Sequence, residues 1–401
     1  MKKEYVKVSE WDKIYCELLK KIINEGTKQK NRTGVDTLTI GAYTFTLNDI
    51  ENNFPILQSK KVILKNALSE ILWIHQAQTS DVNWLKERNN PIWNEWMIDK
   101  DGIYRIYEPK GEFEDKKIDV VDINGNKLDY KAMSTIEGKT IKKAIYYGKE
   151  WAYTIGKAYG YVNSKTKDPQ KVLNLIKNDP DSRRMIINLW QSEFLPYGTL
   201  EPCVWSSEYR VIDGKLNMFV HQRSADVPAG LPFNVSQYAI LLRMFAKVSN
   251  LQAGNIYYSI NDAHIYENQI DQIKLQLSRY EKMLINEKFI DENKQYNDFL
   301  NKVHNHLKED IKRLEEYTIN NPNDINALKE YKDTLDNLKS YELLLNNTKP
   351  ILQLSDIDDF FEFSNEVNND KEYLKENPTG NKDIKLLNYK SMPFIKMPIT
   401  Q

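Results

Sequence analysis

Apolar residues recur at three- and four-residue spacing through Trp11, Ile14, Tyr15, Leu18, Leu19 and Ile22, and Gly26 follows them, which predicts a helix over residues 10 to 26. Residues 37 to 47 alternate as a single strand would. Residues 62 to 77 predict a second helix, apolar enough to be buried, yet Glu70 stands in its middle. Residues 118 to 130 alternate about Asn124-Gly125, a dipeptide that suits a tight hairpin turn, so residues 102 to 150 read as a β-hairpin followed by a helix. Further on, the pattern predicts a helix over 168 to 178 and a strand over 183 to 190. Two strands, 205 to 211 and 215 to 222, flank Asp213-Gly214, and a long buried helix covers 234 to 249.

Near residue 278 the character changes. From there to about 348 the chain is highly charged, with apolar positions at Leu300, Val303, Leu307, Ile311 and Leu314, a coiled-coil-like seam. Asn321-Pro322-Asn323-Asp324 breaks it and a second helix runs from Ile325 to about Leu345. An antiparallel helical hairpin over 278 to 348 is therefore expected, either a structural insertion with solvated faces or a partner-binding element. If it is an add-on, its removal over residues 280 to 346 would leave turnover largely intact. His304 and His306 lie two apart on a helix and point to different faces, which argues against a metal pair.

Composition narrows the class. The 401 residues are 41% hydrophobic, enough for a large core. Lys plus Arg number 56 and Asp plus Glu 57, a net charge of −1, so no nucleic-acid polymer is expected as partner. A small anionic ligand needs only a local arginine cluster. Two cysteines, Cys16 and Cys203, exclude a disulfide scaffold, fit a reducing compartment and leave no thiolate zinc site in prospect. No signal peptide and no apolar run of spanning length is read, so a cytoplasmic protein without membrane or metal is expected.

Several residues stand out chemically. Arg183-Arg184, Arg223 and Arg32 sit in loops or at strand starts and offer forked donors to a phosphate, or are ordinary surface charge. Cys203 is a nucleophile if a positive charge lowers its pKa, and a buried inert thiol otherwise. Glu70 is an acid-base group if buried, or pairs with Lys65 at a helix edge. Asn234 offers a donor and an acceptor at one place, which suits the O4 and N3–H edge of uracil, whereas Asp would favour cytosine. It also reads as a helix cap, with Ser236 competing.

Taken together the segments resemble thymidylate synthases. The resemblance is carried by Asn31-Arg32-Thr33-Gly34, Phe54-Pro55-Ile56-Leu57 with Lys60-Lys61, Ser69-Glu70-Ile71-Leu72-Trp73, Ile92-Trp93-Asn94-Glu95-Trp96 and Ala158-Tyr159-Gly160. It continues in Asp181-Ser182-Arg183-Arg184, Glu201-Pro202-Cys203, Gln222-Arg223-Ser224-Ala225-Asp226, Gly230-Leu231-Pro232-Phe233-Asn234, Asp262-Ala263-His264-Ile265-Tyr266 and Ile395-Lys396-Met397-Pro398-Ile399. It spans roughly residues 10 to 100, 155 to 277 and 350 to 401, and leaves 102 to 150 and 278 to 348 as insertions in one domain of 1 to 401. The implied fold is α+β: a large mixed sheet with flanking helices, plus the helical hairpin, with sheet backs packed together in a homodimer.

The resemblance also implies a chemistry. Cys203 would attack C6 of dUMP, with Arg223 lowering its pKa and also holding phosphate beside Arg32 and Ser224. Arg183 and Arg184 would reach the other subunit's phosphate. Gln222 and Asn234 would bind the base, and His264 and Tyr266 the deoxyribose hydroxyl. Glu70 and Tyr159 would manage protons. Lys60, Trp93, Trp96, Asp226, Gly230 and Met397 would line the site of 5,10-methylenetetrahydrofolate, the one-carbon and hydride donor, and residues 396 to 401 would close over it. The expected activity is a methyltransferase making dTMP. The sequence departs from the family at Val204, where a His usually follows the nucleophile, and at Tyr161-Val162-Asn163 in place of Gln-Trp-Arg. Hence a dUMP hydroxymethylase is the alternative, and a non-catalytic scaffold of this fold a further one.

Overall fold

A computed structural model describes residues 7–31, 33–108, 117–133, 135–136, 139–345 and 349–399. The chain opens with α1 (Glu10–Glu25), capped by the Ser9 hydroxyl, which accepts from the Asp12 N–H. Strands β1 (Thr27–Gln29), β2 (Thr37–Thr39) and β3 (Tyr43–Leu47) follow. The single strand expected over 37 to 47 is thus two. Gly41, at φ 71°, turns the chain between them, and β2 and β3 enter different sheets. Helix α2 (Leu64–His75) is buried along almost its whole length, Glu70 included.

After α3 (Val82–Lys86) comes the segment 102 to 150. It forms β4 (Ile103–Glu108), β5 (Lys117–Asp122), β6 (Lys127–Met133), β7 (Thr135–Ile136) and β8 (Lys139–Tyr146), joined in one sheet. The hairpin about Asn124-Gly125 is there, fixed by Asp122, whose carboxylate accepts from the N–H groups of Asn124 and Asn126. The helix expected after it is strand β8 instead. Pairing with β4 on one side and β5 on the other satisfies that backbone, which overrides its weak helical spacing.

Helices α4 (Gly160–Thr166) and α5 (Asp168–Asn178) lead to β9 (Ile186–Asn188), β10 (Val204–Ile212), β11 (Lys215–Gln222) and β12 (Ala225–Asp226). Then come α6 (Leu231–Lys247), β13 (Gln252–Ile260) and β14 (Ala263–Tyr266). The main sheet is five-stranded in the order β3-β13-β11-β10-β9, parallel between β11 and β13 and antiparallel elsewhere. A four-stranded sheet, β1-β2-β14-β12, lies beside it. This is the mixed α+β architecture that the sequence implies. One face of the main sheet is covered by α6, and α2 packs against α6 in turn. The other face carries Trp205, Phe219, His221 and Tyr257 only partly buried or exposed.

The region 278 to 348 holds the later part of an unexpected helix, α7 (Ile270–Asn293), and after it the expected helical hairpin, α8 (Asn297–Asn320) and α9 (Ile325–Leu345). Tyr280, Met283 and Ile290 give α7 a buried face in the main core, so it belongs to the body of the protein. The seam on α8 is fully buried at Leu300 and half-buried from Val303 to Leu314. His304 and His306 face apart as expected: His304 is shielded against Glu342, and His306 is exposed. The chain closes through β15 (Ile351–Leu354), α10 (Lys371–Glu376) and β16 (Ile384–Leu387). Among the described residues no helix is long and apolar enough to cross a membrane.

Candidate active site

Antiparallel pairing of β10 with β11 creates the centre of the site. Val204 at the start of β10 stands opposite Gln222 at the end of β11, so the residues just beyond, Cys203 and Arg223, become neighbours. The Arg223 N–H donates to the Cys203 carbonyl at 2.8 Å. Its guanidinium bends back, donating to the Pro202 carbonyl at 3.1 Å and the Glu201 carbonyl at 3.0 Å, with Nη2 4.0 Å from the Cys203 sulfur. A fixed cation beside a partly exposed thiol favours the thiolate. Cys16, by contrast, is fully buried, and burial pushes its thiol well up.

Tyr159 completes the cysteine's surroundings. Its hydroxyl accepts from the Cys203 N–H at 2.9 Å, and its ring meets Trp93 edge-on at 5.1 Å. The tyrosine sits at φ 48°, a conformation that costs a non-glycine residue about 1–3 kcal/mol and needs its surroundings to hold it. Gly160 supports this bend, because a Cβ there would lie 2.2 Å from the Thr79 carbonyl oxygen.

Glu70 is buried at 8% exposure and does not pair with Lys65, which donates to Asn369 instead. Trp93 Nε1 donates to one carboxylate oxygen at 2.8 Å and Gln237 Nε2 to the other at 2.6 Å. Both bonds favour the charged form, but burial outweighs them and raises the carboxyl to about 7. Near neutral pH it can therefore both give and take a proton.

Asn234 lies in the first turn of α6 and is not its cap. Its Oδ1 accepts from Gln222 Nε2 at 3.2 Å and its Nδ2 donates to Gln237 Oε1 at 3.1 Å. Ser236 does not cap the helix either, and donates to the Pro55 carbonyl. On the neighbouring sheet, Ser224 Oγ and His264 Nδ1 both meet Asp262, at 3.4 and 3.1 Å, and His264 packs edge-on against Tyr266.

A second group lies around Asp226. Its carboxylate accepts from the Ala229 N–H and twice from Gln269 Nε2, at 3.1 Å each, and burial raises its pKa. Lys60, buried at 5%, donates to the Pro228 carbonyl, and burial lowers its pKa to about 7 although Asp226 pulls the other way. Gln269 also donates to the Pro398 carbonyl at 2.9 Å, which seats the chain's end, next to Met397, beside Asp226. Gly230 follows in the same turn, its N–H on the Asp226 carbonyl. Trp96 packs edge-on against Trp93.

The structure thus gathers Cys203, Arg223, Tyr159, Trp93, Glu70, Gln222 and Asn234 in one connected group, with Ser224, His264 and Tyr266 on the adjoining sheet and Lys60, Asp226 and Gly230 beside the tail. It does not bring Arg183 or Arg184 to them. Both are exposed, and among the described residues neither makes an ion pair. Arg32 lies outside the described residues, as do 400 and 401. The sequence reading missed Gln237, Asp262 and Gln269. A polar residue one turn after Asn234 on an apolar helix was the available signal for Gln237. Among the described residues, no group of three or more His, Cys, Asp or Glu side chains is arranged to hold a metal ion.

Comparison with known proteins agrees with this arrangement. Residues 13–328 match the thymidylate synthase family profile. The thymidylate synthase of Clostridium beijerinckii is 35% identical over 272 residues, covering 68% of this chain and 83% of that protein. That of Listeria monocytogenes serotype 4a is 33% identical over 282 residues, covering 67% and 86%. The solved structure of thermostable thymidylate synthase A from Bacillus subtilis superposes with a TM-score of 0.58 at 23% identity, covering 98% of this chain and 99% of that one, and shares the fold.

Proposed function

Because this chain belongs to the thymidylate synthase family of methyltransferases, we propose that it methylates dUMP at C5 to give dTMP, with 5,10-methylenetetrahydrofolate as donor. The observation that carries the proposal is the placement of Arg223 Nη2 4.0 Å from the Cys203 sulfur, within one hydrogen-bonded group that also holds Asn234 and Glu70. The Cys203 thiolate adds to C6, which leaves an electron pair at C5. The folate supplies a methylene to that carbon and then a hydride, departing as dihydrofolate. The C5 proton leaves before the methyl forms, and Tyr159 and Glu70 are the groups disposed to manage it. Departure of the cysteine from C6 restores the ring.

Arg223 also contributes to phosphate binding, with Ser224 and Arg32. His264 and Tyr266 take the sugar hydroxyl. Trp93, Trp96, Lys60, Asp226, Gly230 and Met397 face the folate, and the tail held by Gln269 excludes water from the electrophilic intermediate. The exposed Arg183 and Arg184 serve the site of a second copy. The partly open sheet face with Trp205, Phe219, His221 and Tyr257 is the surface through which two copies pack.

Incubation with dUMP and methylenetetrahydrofolate, with products identified by mass spectrometry, tests the reading. The expected products are dTMP and dihydrofolate. Hydroxymethyl-dUMP with tetrahydrofolate would replace it by hydroxymethylation, and no product would leave a non-catalytic scaffold. Cys203→Ala is expected to abolish turnover, and full activity in that variant would remove Cys203 from the mechanism.

A further inference from the structure

The polar side chains beneath the site form one relay with a single polarity. The Tyr258 hydroxyl donates to Gln222 Oε1 at 2.6 Å. Gln222 Nε2 donates to the Ser224 carbonyl at 2.9 Å and to Asn234 Oδ1 at 3.2 Å. Asn234 Nδ2 donates to Gln237 Oε1 at 3.1 Å, and Gln237 Nε2 donates to Glu70 Oε2 at 2.6 Å. Two acceptors anchor the relay, the Ser224 carbonyl on one side of Asn234 and the ionised Glu70 carboxylate on the other.

An asparagine by itself does not tell uracil from cytosine. Turning its amide over exchanges donor and acceptor. One orientation complements the N3–H and O4 of uracil, and the other complements the N3 and amino group of cytosine. Discrimination therefore depends on whatever holds the amide in place. We infer that Gln237 is the positioning residue that locks Asn234 in the uracil-reading orientation. The inference rests on the reading of Asn234 as the residue that faces the base.

The geometry supplies the lock. Each end of the Asn234 amide has one partner in the protein, which leaves one Oδ1 lone pair and one Nδ2 proton for a ligand. Turning it over would set its NH2 against Gln222 Nε2 and its oxygen against Gln237 Oε1. While Glu70 is ionised Gln237 cannot follow, because its own oxygen would then oppose the carboxylate, so the lock is complete above the Glu70 titration near 7. Gln222 cannot follow either, because the Ser224 carbonyl holds its NH2. Gln237 is 2% exposed, so water is not at hand to repair a mismatch. Val204, buried and opposite Gln222, offers no alternative partner.

Calorimetric binding of dUMP and of dCMP to the full chain, without folate, tests this. The unmodified protein is expected to prefer dUMP. Gln237→Met keeps the length but removes donor and acceptor, and should reduce the dUMP-over-dCMP preference roughly fivefold to tenfold, the scale of one neutral hydrogen bond. General loosening would weaken both nucleotides alike and leave their ratio unchanged. Gln237→Glu, sharing one proton with Glu70 between their facing oxygens, keeps an acceptor facing Asn234 Nδ2 and should retain the preference. An unchanged ratio in Gln237→Met overturns the inference, and so does loss of preference in Gln237→Glu, whether or not the methionine variant folds. Failure of the unmodified protein to bind dUMP is a different result, and overturns the functional reading itself.

Discussion

Two segments carry none of the quoted family motifs, residues 102 to 150 and 278 to 348, and the structure treats them in opposite ways. The first packs on itself. Ile103, Val120, Ala132 and Ala144 form a small cluster separate from the main core. The second is continuous with that core: Tyr280, Met283 and Ile290 on α7 and Tyr341, Leu343, Leu344 and Leu345 on α9 all belong to the main cluster. Glu287 on α7 also accepts from the Val8 N–H beside α1. A segment without a recognisable motif is therefore not marked as dispensable. What matters is which core its apolar face enters.

The largest expected effect follows from that difference. Deleting residues 280 to 346 should abolish folding rather than spare turnover, as the charge pattern alone would suggest. It strips the main core of at least seven large side chains, Tyr280, Met283, Ile290, Tyr341, Leu343, Leu344 and Leu345. Large-to-small changes at such sites cost about 2–5 kcal/mol each, and a whole domain has only about 5–15 kcal/mol to lose. Circular dichroism and size-exclusion chromatography of the deleted chain give the answer, and a folded, active product would show that α7 and α9 are appended after all.

A single residue sharpens the same contrast. Arg279 on α7 is 7% exposed, donates through Nε to Asp336 on α9 at 3.1 Å and through Nη1 to the Pro393 carbonyl at 2.9 Å. It ties the helical segment to the approach of the C-terminal tail. Arg279→Ala leaves Asp336 shielded without its cation and should destabilise by about 3 kcal/mol. It should also raise the KM for folate more than that for dUMP, because the tail loses a tether. The pair Arg279→Met with Asp336→Leu should recover the stability but not the folate KM. Recovery of both would make the ion pair purely structural.

How much of this was legible in advance depended on the kind of signal. The helix over 10 to 26 and the strands about Asp213-Gly214 follow from periodicity, because each buries one face, and the long helix near Asn234 shows as an apolar run because it is buried on nearly every side. Strand β8 did not show, because its pairing with β4 and β5 is long-range and its own spacing is ambiguous. The centre of the site was legible through residue types whose chemistry is rare in apolar surroundings, Glu70 and Cys203. Gln237 was not, because an amide declares nothing until its partners are known. The helical segment was misjudged because its charged outer faces hid α7, whose buried face is spaced like any other core helix.

The titration of Glu70 belongs to the shared core and to neither segment, so it separates local from global effects. Burial raises its carboxyl from the ordinary 4.5 to about 7, and the folded state therefore holds a proton that the unfolded chain has released. Stability contributed by that proton is complete below pH 4.5 and is lost as pH rises through 7, by up to about 1.4 kcal/mol for each pH unit crossed. Glu70→Gln should flatten the stability profile in this window and remove an inflection near pH 7 from turnover. Changes confined to residues 103 to 147 should leave both features in place. Chemical denaturation across pH 4.5 to 8 checks this, and an unaltered slope in Glu70→Gln would assign the titration elsewhere.

The smallest effect is expected where the sequence pattern breaks most abruptly. The segment 103 to 147 leaves and rejoins the body at one point. The Tyr147 N–H donates to the Gly102 carbonyl at 2.9 Å, and a Cβ on Gly102 would lie 2.5 Å from the Gly148 carbonyl carbon. Both glycines have positive φ, 79° and 110°, so the crossing needs residues without side chains. Joining Gly102 to Gly148 directly closes a gap that is already closed in space. Among the described residues the losses are the small separate core, the bonds that Ile103 and Arg105 make to Asp99, and the bond from the Tyr147 hydroxyl to the Gly198 carbonyl at 3.1 Å. That bond touches the loop before Glu201 and Cys203, so the excised protein should fold with a melting point lower by only a few degrees, the equivalent of about 1 kcal/mol, and keep its turnover within about threefold. A collapse comparable to that from deleting 280 to 346 would mean that the sheet, despite its own core, is needed to hold the Cys203 loop in place.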